Sequence, residues 1–78
     1  MKVTKYFQAN RTRPDRAVIK NEWILRVIAA PEREFVQADG RVRRWGRIEE
    51  MDGRYLRVIL VPDRKTVHNA FFDRGYKP

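Results

Sequence analysis

Two identical tripeptides, Asp39-Gly40-Arg41 and Asp52-Gly53-Arg54, punctuate the second half of this chain 13 residues apart. A third break, Pro62-Asp63-Arg64-Lys65, puts proline where the first corner of a turn wants a fixed φ. Turns this short force consecutive strands to run antiparallel, so the segment reads as a meander. The runs between the breaks predict strands at about 34–38, 41–50, 54–61 and 66–72.

Upstream of Pro31 the pattern changes. Ile24, Val27 and Ile28, with Trp23 and Ala30 beside them, have the spacing of a helix lying on a core. Asn21 is expected as its N-cap, Glu22 suits the first turn, and Pro31 stops it. A shorter helix is expected between Thr4 and Thr12, while Arg13-Pro14-Asp15 reads as a turn. The expected fold is α+β: one or two N-terminal helices packed on a four-stranded antiparallel β-meander. It forms one domain, with a helical part at about 4–30, the meander at about 34–72 and a C-terminal tail at 73–78.

Register decides which side chains share a face. Three-residue Asp-Gly loops with glycine in the left-handed position would set Val36 opposite Val42, Ile48 opposite Leu56 and Gly46 opposite Val58. A four-residue turn at 62–65 would set Leu60 opposite Val67 and Leu56 opposite Phe71. One face then gathers Val36, Val42, Ile48, Leu56, Val58, Leu60, Val67 and Phe71, with Asn69 among them opposite Val58. A two-residue loop would pair these residues with Glu49 and Arg47, and burying unpaired charge is far costlier. The other face would carry Trp45, Ile59 and His68 in one row, Arg47, Arg57 and Ala70 in the next, and Glu49, Tyr55 and Phe72 in the third. The tail Asp73-Arg74-Gly75-Tyr76-Lys77, which follows directly from the last strand, is placed to fold over it.

That second face is where charge and aromatic character meet. The chain carries a net charge of +8 over 78 residues, and thirteen of its 18 basic residues are arginine. Arginine pairs with phosphates through a planar fork and stacks on bases, as lysine does not. A nucleic-acid surface is therefore expected at Arg43, Trp45, Arg47, Tyr55 and Arg57, with the arginines on phosphates and the rings under exposed bases. A solvated sheet face with local ion pairs, such as Arg47 with Glu49 or Asp73, is the alternative reading of the same residues.

Absences narrow the chemistry. There is no cysteine and no serine, and one histidine cannot build a common zinc site. The four glycines match neither a P-loop nor a dinucleotide fingerprint. Glu49 and Glu50 are adjacent on a strand and point to opposite faces, so they cannot converge on one bond. No cofactor and no metal are expected. No apolar run approaches the ~20 residues of a membrane span, and the cytoplasm is the expected compartment. His68 could move a proton near neutral pH, with Arg57 steadying a phosphate beside it.

The stretches Ala38-Asp39-Gly40-Arg41-Val42-Arg43-Arg44-Trp45-Gly46-Arg47-Ile48 and Leu56-Arg57-Val58-Ile59-Leu60 come after a helix closed by Pro31. This arrangement, over about residues 4–72, resembles a family of small bacterial proteins similar to the BrnT-like and RelE-like ribonuclease toxins. The resemblance departs at Lys5-Tyr6-Phe7, where that family often has a histidine. It implies metal-independent RNA cleavage, and it matches Arg74 and Tyr76 to the arginine and tyrosine such toxins carry late in the chain. With His68 and Arg57 on one face by the predicted register and the tail folded back, the expected catalytic set is His68 for a proton, Arg57 and Arg74 for the developing negative charge, and Tyr76 for a second proton or a stacked base. The leading expectation is an RNA-directed, toxin-like protein, a ribonuclease of a toxin–antitoxin pair. Two other readings stay open: a non-catalytic nucleic-acid-binding module, and an interaction domain for an acidic, antitoxin-like protein partner.

Overall fold

The computed structural model covers residues 1–78 and has an α+β fold. Helices α1 (Lys5–Asn10), α2 (Pro14–Ala17) and α3 (Asn21–Ala29) precede strands β1 (Arg33–Val36), β2 (Val42–Ile48), β3 (Arg54–Leu60) and β4 (Val67–Phe72). The strands form one antiparallel sheet in the order β1-β2-β3-β4.

Local chemistry sets the helix ends. Thr4 Oγ1 accepts from the Phe7 N–H at 3.1 Å and caps α1. The segment read as a turn at 13–15 instead opens α2, because Pro14 at the first helical position needs no N–H partner. Asn21 does not cap α3; that position belongs to Lys20. The Asn21 side chain is engaged elsewhere, accepting from Arg11 Nη2 at 2.8 Å. Arg11 also donates to the Ile19 and Arg16 carbonyls, so one guanidinium ties the three helices together.

Trp23, Ile24 and Val27 of α3 are buried against the sheet, with Phe7, Ile19, Val42, Ile48, Leu56, Val58, Leu60, Val67 and Ala70. Full burial of a side chain such as Ile24 contributes roughly 1.5–3 kcal/mol. No polar or charged residue is buried in this core. Arg44, on the core-facing side of β2, escapes at its margin by pairing with Glu34 at 2.9 Å and donating to the Ile28 carbonyl. Val36 has the core-facing register but is 48% exposed, because the helices pack on β2, β3 and β4 and leave β1 bare.

The first hairpin has the expected register, with Val36 opposite Val42 and Gly40 at φ 88°. The second does not. Glu49–Met51 wind into a 3₁₀ turn and Asp52 itself takes a left-handed conformation, φ 59°, so Ile48 sits opposite Arg54 and Gly46 opposite Leu56. A shift of two residues keeps every β2 and β3 side chain on its expected face. Across β3 and β4, Leu60 pairs with Val67 as expected, but Ile59 pairs with Asn69, leaving His68 as an extra residue.

This bulge falls where the chain's first residues dock. The Val67 N–H donates to the Lys2 carbonyl and the Thr4 N–H to the Val67 carbonyl, at 2.9 and 3.0 Å. One inserted residue exchanges the faces of every strand residue after it. Ala70 enters the core, Phe72 meets Trp23 edge-on at 6.3 Å, and Phe71, expected in the core, lies 5.0 Å from the Arg57 guanidinium. Asn69 faces Ile59, not Val58, and accepts from Arg16, which ties α2 to the sheet.

Candidate nucleic-acid interface

The corrected register rebuilds the face turned away from the helices. Its rows are Arg43, Ile59 and Asn69, then Trp45, Arg57 and Phe71, then Arg47 and Tyr55. Arg33 and Phe35 of β1 extend the first two rows, opposite Trp45 and Arg43. His68 and Ala70 therefore leave the rows in which they were expected.

The residues after β4 return across this face. The Asp73 N–H donates to the Tyr55 carbonyl at 2.9 Å, the last backbone tie to the sheet. Asp73 Oδ2 then receives three donors: Trp45 Nε1 and Arg57 Nε at 2.9 Å, and Arg57 Nη2 at 2.6 Å. Burial pushes the Asp73 carboxyl up, but the indole N–H, the guanidinium and the Gly75 N–H outweigh it and hold it below its usual range. Tyr76 lies on Trp45, with ring centroids 5.0 Å apart and planes at 17°, and tilts against Tyr55 at 4.9 Å. Trp45 is left 6% exposed. It is not the open stacking platform that its place on the strand suggests, because another ring of the same chain already covers it.

Beside this strap runs a groove of about 430 Å³ bounded by Arg33, Phe35, Arg43, Trp45, Arg57, Tyr76 and Lys77. Arg33, Arg43 and Lys77 make no ion pair, and Arg43 Nε donates only to the Gln37 amide oxygen. On the strap's other side Arg54, Tyr55, Phe72, Arg74 and Tyr76 line a second cavity of about 290 Å³. Asp73 and Tyr76 are walls of both.

Of the nucleic-acid set, Arg43, Trp45 and Arg57 meet at the groove and Tyr55 lines the second cavity. Arg47 lines neither; it pairs with Glu49 at 2.6 Å and its guanidinium rests on Gly53. Of the catalytic set, Arg57 and Tyr76 share contacts with Trp45, and Arg74 stands in the second cavity. His68 is elsewhere. It stacks on Tyr6 at 4.7 Å and shares a 3.1 Å hydrogen bond between Nδ1 and Thr4 Oγ1, with no such contact to Arg57, Arg74 or Tyr76. Burial, then Arg41, pushes its pKa below the usual histidine value, against a smaller pull from Asp39.

Arg33, Phe35 and Arg54 escaped the sequence reading, and Lys77 enters it only as part of the returning tail. For Arg33 and Phe35 a signal existed: period two counted back from Val36 puts both on this face. No three His, Cys, Asp or Glu side chains gather closely enough to hold a metal ion, and no helix is long and apolar enough to cross a membrane. In comparisons with known proteins no family model matches this chain, and no curated protein or solved structure is found to be similar to it.

Proposed function

We propose that this protein binds single-stranded RNA along the outer face of its sheet, with binding rather than cleavage as its activity. The observation that carries this reading is the groove in which Arg33, Arg43 and Lys77 stand without carboxylate partners beside the exposed ring of Phe35. Free guanidinium and ammonium groups are what a phosphate backbone neutralises, and an exposed ring gives an unpaired base a surface to stack on. The net charge of +8 acts in the same direction.

The toxin-like alternative asks for His68, Arg57, Arg74 and Tyr76 around one phosphate. General acid and base must both reach the same substrate, whereas His68 is engaged by Thr4 and Tyr6 and Arg57 by Asp73. Binding therefore has the better support. The test is incubation of pure protein with labelled single-stranded RNA in EDTA, scored for retention and for cutting at several salt concentrations. Salt-sensitive retention of intact RNA is the expected result. Cutting would return the ribonuclease reading, and no retention at low ionic strength would leave an acidic protein as the partner.

A further inference from the structure

We propose that the segment Asp73 to Tyr76 is an internal mimic of a nucleotide, seated in a subsite formed by Trp45 and Arg57, and that bound RNA displaces it. The inference rests on the RNA-binding reading above and adds how that site is regulated.

The mimicry is chemical, group by group. A single carboxylate oxygen of Asp73 collects the guanidinium and indole donors that a phosphate oxygen would collect. Three residues on, the Tyr76 ring lies nearly parallel to Trp45, as a base would. The Arg57 guanidinium and the ring and N–H of Trp45 thus each have an equivalent partner in a nucleotide, so exchange leaves neither Arg57 nor the Trp45 N–H unpaired.

The attachment of the strap permits this exchange. Beyond Asp73 its backbone bonds are internal, Gly75 N–H to Asp73 Oδ1 at 3.1 Å and Tyr76 N–H to the Asp73 carbonyl at 3.4 Å. Side-chain contacts hold the rest. The position also fits: cations without carboxylate partners flank the strap on both sides, Arg33, Arg43 and Lys77 in one cavity and Arg54 and Arg74 in the other. The two cavities share Asp73 and Tyr76 as walls, so an RNA strand that tracks both sets meets the strap between them. Lifting Asp73 off also removes the one negative charge from that point.

The experiment compares the full chain with its Tyr76→Ala variant for affinity toward a short labelled oligouridylate, each variant first checked for folding by circular dichroism. With the competing ring gone, affinity should rise on the order of tenfold, the scale of one stacked base. Adding Trp45→Ala should abolish the gain. A second measurement needs no variant: in the unmodified protein, nuclear Overhauser contacts between the Tyr76 and Trp45 rings should vanish on saturation with the oligouridylate. If the unmodified protein binds but Tyr76→Ala is neutral or weaker, or the ring contacts persist at saturation, the strap is not displaced. The displacement proposal then falls while RNA binding stands. If neither protein binds the oligouridylate at low salt, the RNA-binding reading fails and takes the proposal with it.

Discussion

Gly46 faces Val27 so closely that a β-carbon on the glycine would lie 2.8 Å from Val27 Cγ2. Strand β2 and helix α3 meet here without a spacer, and the approach sets how far the helix sinks onto the sheet. Gly46→Ala should therefore destabilise the fold by about 1–3 kcal/mol, the usual cost of overpacking. Denaturant unfolding measures it. Combining Gly46→Ala with Val27→Ala should cost less than the two single changes added together, since the second vacates the space the first needs.

His68 gives the fold a pH dependence of definite sign. Its folded pKa is lowered, so below about pH 6.5 the unfolded chain takes up a proton that the folded chain refuses. Stability should fall as pH drops from 7 toward 5, and His68→Gln should flatten that part of the curve. Glu50 and Asp63, each held at about 2 by Arg26 and by Thr66 respectively, give up their contribution only in more acid solution. Melting temperatures of the two proteins at neutral and mildly acid pH separate these contributions.

Asp73→Ala should cost about 1–3 kcal/mol, because it leaves the largely buried Arg57 guanidinium and the Trp45 N–H without an acceptor. Asp73→Asn keeps an oxygen in place and should cost less. Equal losses for the two variants, measured by denaturant unfolding, would mean that the carboxylate's hydrogen bonds do not hold the strap.

RNA affinity should show a salt slope to which each neutralised phosphate contributes about 0.7. Arg33→Ala and Arg43→Ala should each lower the slope by about that amount, since both line the groove without an ion-pair partner. Arg47→Ala should leave it nearly unchanged, because Arg47 is paired with Glu49 outside the groove. Titrations of labelled RNA at several salt concentrations read all three slopes.

The architecture was legible because turn chemistry and side-chain alternation are local. Asp39-Gly40 closes its hairpin as its residues dictate, and the placing of apolar residues on β2 and β3 survives even a wrong register. Asp52-Gly53 has the same letters and behaves differently, because Glu49–Met51 coil before the turn and no residue there announces it. The bulge at His68 is less legible still, since its setting includes Lys2 to Thr4, more than sixty residues away in the chain. That one residue exchanged Phe71 for Phe72 at the core and carried His68 out of the expected site. Trp45 stands on the expected face, and the tail returns over it as its place after β4 allows, but the stacking of Tyr76 on Trp45 is encoded by no pattern within β2.

The docking of Lys2 to Thr4 on Val67 makes the two rims of the sheet unequal. Backbone groups at the β4 rim are already spoken for at that point, whereas the β1 rim is unoccupied and shows Phe35 and Val36 half exposed. Such a rim is where chains stick to one another, and charge is the common safeguard. Here Arg33 and Glu34 precede that apolar pair along the strand, and any second copy approaching would bring its own +8. Like-charged copies repel at this rim, so the same arginine content that suits the chain to a polyanion also protects it from itself.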